Sequence, residues 1–212
     1  MTSSATASTA IENPDALARL NAAIMGERNP RGIPSAVFVD SVDSFMSTCG
    51  AETIDPLVGA LQQMYSKYKF METSLQKSRE TFKRKIPDTE KDLAIVRHVI
   101  AKRDAGETLK THFNMADNVY AKAEVDCSVG KVCIWLGAHV MVEYEYEEAL
   151  KLLEKNVASA TEKLVQIEED LSFLRDSIIT TEVNIARIFN YDVRRRRLEQ
   201  DSKLAVGVNE EK

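Results

Sequence analysis

Long apolar runs are missing from this sequence, together with most residues that build disulfide-bonded, metal-centred or catalytic sites. No stretch approaches the ~20 consecutive apolar residues of a bilayer-spanning helix, so no membrane partner is expected. Cysteine is limited to Cys49, Cys127 and Cys133. An odd number without CxxC spacing offers neither a disulfide framework nor a zinc signature, and the three read as reduced thiols. His98, His112 and His139 sit in unlike surroundings, so no metal site is assigned. A Gly-rich phosphate loop, a nucleophile–His constellation and an HExxH motif are all absent. The reading is therefore a protein that is not an enzyme, with no catalytic residues and no cofactor. An excess of basic charge is lacking too: 28 Lys and Arg against 33 Asp and Glu leave a net charge of −5. Phosphate recognition needs a net or local basic field, so no nucleic acid is expected as a partner.

Glycine (8) and proline (5) are scarce in 212 residues, and their places punctuate the chain. The opening "MTSSATASTA" has its first arginine only at Arg19, which suits a disordered tail better than an organellar transit peptide. Within that tail, "NPDALARLNAAIM" can form a short helix: Asn13 caps, Pro14 takes the first position, and Leu17, Leu20 and Ile24 share a face. "NPRGIPSAVFVDSVDSFM" follows, an extended arm ending in a helical turn, with Val37, Phe38, Val42 and Phe45 in need of a surface.

Asp55 and Pro56 then open a long helix. Leu57, Leu61, Met64, Tyr68, Met71, Leu75, Ser78 and Phe82 alternate gaps of four and three, a heptad seam. A second run, Ile86, Thr89, Leu93, Val96 and Ile100, is joined to the first by an extra four. That stutter, with Pro87 beside it, predicts a kink or loosening at 86–88 without a domain boundary. Gly106 is the expected stop. A second long helix keeps the same rhythm from Tyr146 through Leu150, Leu153, Val157, Leu164, Leu171, Ile178 and Ile185 to Ile188 without a slip. Opposing the ends of two such helices sets Leu57, Leu61 and Met64 beside Ile188, Phe189 and Tyr191.

Between the helices the period changes to two. "NVYAKAEV" alternates around Val119 and Val125, and "FNMADNVYAK" can fold at Asp117-Asn118. "KVCIWLGAHVMVEYE" carries the only tryptophan, and its even positions Val132, Ile134, Leu136, Val140, Val142 and Tyr144 are all apolar. A single strand of that length would reach ~40 Å, so a tight turn at Gly137-Ala138 is expected instead. Two lone hairpins bury little and leave open edges, which predicts pairing with strands of other chains.

Two helices in a long arm joined by two β-hairpins resemble the eukaryotic α-class subunits of prefoldin. The resemblance is carried by "KVCIWLGAHVMVEYEYEEAL", "GIPSAVFVDSVDSFM", "YSKYKFME", "MADNVYAKAEV", "IEEDLSFLRD" and "TTEVNIARIFNYDVRRR", and covers about Gly32 to Arg197. It implies a mainly α, α+β fold: an antiparallel coiled-coil hairpin with two small β-hairpins. The segments are a disordered tail (1–31), an arm with a short helix (32–54), a first coiled-coil helix (55–109), the hairpin region (110–145), a second helix (146–197) and a flexible tail (198–212).

It further implies a cytoplasmic, ATP-independent co-chaperone, with an additional nuclear pool left open. The implied partners are prefoldin subunits in a heterohexamer of two α-class and four β-class chains, unfolded actin and tubulin, and the cytosolic group II chaperonin. Subunit assembly then falls on Val119, Val125, Val132, Ile134, Leu136, Val140, Val142 and Tyr144, with Trp135 on the opposite face. Client contact falls on Leu57, Leu61, Met64, Ile188, Phe189 and Tyr191. The rival reading is a coiled-coil scaffold or tether, which would not need the strands. The basic run 194–197 keeps three readings: a nuclear or nucleic-acid patch, cations at a helix end, or a charged surface for acidic clients or chaperonin. The carboxylates Glu143, Glu145, Glu147 and Glu148 read as complements to a helix start.

Overall fold

The computed structural model describes residue 20, residues 22–49 and residues 54–210. The capping expected at Asn13 and Pro14, and Leu17 with it, lies outside these. In chain order come strands β1 (Met25–Arg28) and β2 (Pro34–Ala36), helices α1 (Val42–Cys49) and α2 (Asp55–Asp104), strands β3 (Leu109–Ala116), β4 (Val119–Val125), β5 (Lys131–Gly137) and β6 (Val140–Glu145), and helix α3 (Tyr146–Glu210). Among the described residues the strands form three separate antiparallel pairs, β1–β2, β3–β4 and β5–β6.

The chain divides into two compact units, one combining the described residues up to Gln76 with those from Glu169 onward, the other spanning 77–168. In the first, the start of α2 packs on the C-terminal part of α3: Leu57, Leu61, Met64 and Tyr68 are buried with Leu174, Ile178 and Ile188. Leu20, Ile24, Val39 and Val42 from the N-terminal segment complete that core. In the second, Leu93 and Val96 near the end of α2 are buried with Ala149 and Leu153 at the start of α3. Val99, Cys127 and Tyr146 form a smaller cluster beside them.

Three expectations change, and at Pro87 the helix is continuous. Residues 24–31 are not a loose tail, because Ile24 is buried and β1 pairs with β2. Helix α2 ends at Asp104 rather than 109, since Gly106 takes the left-handed conformation (φ 67) and the amides of Gly106 and Glu107 bond back to Arg103 and Lys102. Pro87 lies inside α2 without interrupting it. The ring is on an exposed face, where water can take the hydrogen bond that the proline forgoes. Helix α3 continues to Glu210 rather than stopping at 197, through a segment with no proline.

Candidate functional site

The first candidate surface is built by the two hairpins of the second unit. Strands β3 and β4 turn at Asp117-Asn118, pairing Ala116 with Val119 and Leu109 with Val125. Strands β5 and β6 pair Gly137 with Val140, so the turn residues are Ala138 and His139, one position later than expected. Gly137 (φ 101), Ala138 (φ 49) and His139 (φ 60) all have positive φ. Two consecutive left-handed residues match the twist of the strands they join, which is why a two-residue loop closes here.

The even-numbered face of β5–β6 is divided. Val132, Ile134 and Tyr144 pack on Leu93, Val96, Ala149 and Leu153, and Val142 beside them is half-buried. This inner half therefore finds its cover within the chain, and the expectation that the whole row waits for partner strands is corrected for it. The helix ends lie directly under the base of the hairpin. Leu136 and Val140, beyond the reach of the helices, stay exposed, as do Trp135 and Met141 on the other face. Phe113, Met115, Val119, Tyr120 and Val125 on β3–β4 are exposed as well. An apolar surface of this extent, carrying unpaired strand edges, is what an assembly interface requires.

The hairpins are set on the helices by a small polar joint. Hydrogen bonding from the Ser128 side chain, and then from its amide, holds the Asp126 carboxyl below the usual range. The Tyr146 hydroxyl donates to the Cys127 carbonyl at 3.1 Å, and the Tyr146 amide donates to the Gly130 carbonyl. The guanidinium of Arg103 lies over the Tyr146 ring. Across the hairpin, Lys131 donates to Glu143 at 2.6 Å, and that bond raises the lysine pKa.

The second candidate surface lies in the first unit, where α2 begins. Here the structure brings the expected client residues together and buries most of them. Leu57, Leu61 and Ile188 are 0 % exposed and Met64 3 %. Buried in the core that α2, α3 and the N-terminal segment form together, these four present no client surface in this conformation. Phe189 is exposed, and Tyr191 is half-buried with its hydroxyl donating to Asp43. Phe189 borders an open groove of about 330 Å³ lined by Val58, Gln62, Tyr65, Glu182, Ile185 and Ala186.

The covering segment is held by polar groups of the two helices, of which the heptad pattern had singled out only Tyr68. Asp170, 5 % exposed, accepts bonds from Asn29 and Arg31, both at 2.6 Å, and Arg31 also reaches Glu169. These carboxylates raise the Arg31 pKa. The buried Asn184 accepts from the Val39 amide at 2.9 Å and donates to the Val37 carbonyl at 2.7 Å. The Tyr68 hydroxyl donates to the Pro34 carbonyl, and burial pushes its pKa up to about 12. The sequence did contain a signal for this clasp. Asp170, Ser177, Thr181 and Asn184 recur at gaps of seven, four and three, a buried polar row in which Thr181 takes a position of the heptad seam itself.

The basic run 194–197 lies inside α3, so its cations do not complement the end of that helix. Arg195 and Arg196 both pair with Asp192.

Comparison with known proteins agrees with this architecture. A family model described as prefoldin subunit matches residues 68–191, more than half of the chain. Relatives named prefoldin subunit 3 from Mus musculus and Homo sapiens are each 47% identical over 178 residues, covering 84% of this chain and 90% of theirs. Prefoldin subunit 3 of Saccharomyces cerevisiae is 38% identical over 187 residues, covering 84% and 92%. With two long helices, apolar hairpins between them and these relatives, the chain belongs to the prefoldin family of co-chaperone subunits, which are not enzymes.

Proposed function

We propose that this chain is an α-class subunit of a prefoldin heterohexamer that holds unfolded polypeptide, actin and tubulin among its clients, and passes it to the cytosolic group II chaperonin without ATP. The observation that carries the reading is the exposed apolar surface of the two hairpins, which a plain coiled-coil tether does not need. Leu136, Val140, Val119 and Val125 contribute to subunit assembly, while Val132, Ile134, Val142 and Tyr144 support them from the inner half. Client contact moves from the buried seam to the groove of Val58, Tyr65, Ile185 and Phe189. A shallow apolar groove with polar rims grips many sequences weakly, and several such arms in one complex supply avidity. Release follows competition by the chaperonin. The complex works in the cytoplasm.

Co-expression with β-class subunits, followed by an aggregation assay on denatured actin, tests the proposal. A complex of six chains that delays aggregation, and loses that delay with Phe189→Asp, is the expected result. A chain that enters no such complex, or a complex with no effect on aggregation, favours the tether. Fluorescent tagging at the chain's own expression level checks the cytoplasmic assignment.

A further inference from the structure

The N-terminal segment contacts α2 and α3 in two chemically different ways. Its flanks are held through their own side chains: Asn29 and Arg31 bond Asp170, and Asp43 accepts from Tyr191. Its middle is held through the backbone. Tyr68 donates to the Pro34 carbonyl, Asn184 bonds the Val37 carbonyl and the Val39 amide, and Arg187 donates to the Asp40 carbonyl at 2.8 Å. All four of these bonds from the helices to residues 34–40 end on main-chain atoms.

Asn184 acts here as a side-chain substitute for a β-strand. A strand neighbour offers one carbonyl and one amide to a residue pair separated by one position, and the Asn184 amide offers the same donor and acceptor to Val37 and Val39. Side-chain selection is confined to a few points. Val39 enters the apolar core with Ala36 packed against it, the Phe38 ring lies under the Arg187 guanidinium at 4.9 Å, and the exposed Asp40 carboxylate is 4.0 Å from the same guanidinium. The remaining track asks for an extended backbone with apolar residues at the positions of Ala36 and Val39, a requirement that many unfolded segments meet.

We infer that Tyr68, Asn184 and Arg187 form a sequence-tolerant track for extended polypeptide, which residues 34–40 occupy in cis and an unfolded segment of a client takes over in trans. The inference rests on the chaperone reading above and deepens it, since it names the form of client recognised and the residues that read it. Displacement would also open the side of the Leu57, Leu61 and Ile188 core that Val39 and Val42 now cover, adding apolar area to the client site. The track lies on a different face of α3 from the groove at Phe189. The flanking anchors Asn29, Arg31 and Asp43 then hold the occupant in place by effective concentration, so that only a client held by several arms displaces it.

The test uses the assembled heterohexamer and reduced, carboxymethylated α-lactalbumin, a permanently unfolded probe. Amide hydrogen exchange at residues 34–42 is followed with and without the probe, and probe affinity is measured for wild type, Arg31→Ala and Asn184→Leu. The expected result is faster exchange across 34–42 when the probe is bound, severalfold tighter probe binding in Arg31→Ala, and weaker binding in Asn184→Leu. Arg31→Ala loosens the occupant without touching the track, whereas Asn184→Leu damages the track itself. A probe that binds while exchange at 34–42 is unchanged or slower overturns the inference and leaves the chaperone function standing. Unchanged or weaker binding in Arg31→Ala does the same. Failure of the probe to bind any of the complexes overturns both.

Discussion

Asn184 shows how much depends on one side chain. Its amide satisfies a buried backbone donor and a backbone acceptor together, and no apolar residue of similar size can do so. Asn184→Leu leaves both backbone groups without a partner, at a cost of about 1–3 kcal/mol for each left unsatisfied. Urea unfolding of the first unit, followed by exchange at residues 34–42, is expected to show a lower midpoint. Tyr68 carries the pH dependence of the same contact. Its pKa is raised to about 12 in the fold from an ordinary 10.0, so the neutral phenol is the form that the fold favours. Stability from this group is complete below pH 10 and is lost as pH rises from 10 through 12. Tyr68→Phe gives up the bond to Pro34 but should flatten that alkaline loss. A thermal midpoint that falls as steeply in the phenylalanine variant would assign the loss to other groups.

Elements are where apolar pattern becomes either core or surface. Alternation along β5 and β6 is regular, yet only the inner half of the even row is covered, because the helix ends reach Val132, Ile134 and Tyr144 and stop short of Leu136. Leu136→Lys with Val140→Lys should therefore leave the circular dichroism of the isolated chain unchanged while preventing assembly with β-class subunits in gel filtration. Ile134→Lys instead places a charge against Leu93 and Leu153 and should lower stability of the chain by itself. The turn offers an opposite change. Ala138 and His139 both occupy the left-handed region, which costs an L-residue roughly 1–2 kcal/mol. Replacing them with Asn-Gly, the pair that such loops favour, is expected to raise the thermal midpoint of the second unit. The period of two was legible in the residues, and so was the turn near Gly137. Which half of the row would be buried was not, because that depends on where α2 and α3 end in space.

At the scale of the molecule, two separate cores serve two tasks. Leu57, Leu61, Leu174 and Ile188 anchor one, and Leu93, Val96, Ala149 and Leu153 the other. Among the described residues each buried cluster lies within one unit, so local openings in each should be independent. Leu61→Ala, expected to cost about 2–5 kcal/mol, should speed amide exchange in the first unit and leave the second nearly unchanged. Leu153→Ala should do the reverse, and the double variant should be additive. Coupled effects would show that the long helices transmit strain from one core to the other.

Sequence alone determined the elements: helices from the three–four rhythm, the stop at Gly106 from glycine's freedom at positive φ, and the hairpins from alternation broken at Asp117-Asn118 and near Gly137. These are local properties, set by backbone sterics and by which side chains share a face. Tertiary structure decided accessibility. Leu57, Leu61, Met64 and Ile188 look the same in the heptad pattern whether they face solvent or lie beneath another segment. The packing of α2 on α3 buries them together with the N-terminal segment, whose docking of Val39 on Asn184 and of Arg31 on Asp170 joins residues about 140 positions apart along the chain. Such contacts depend on complementary donors, acceptors and apolar area meeting in three dimensions, and no periodicity along one segment encodes that meeting.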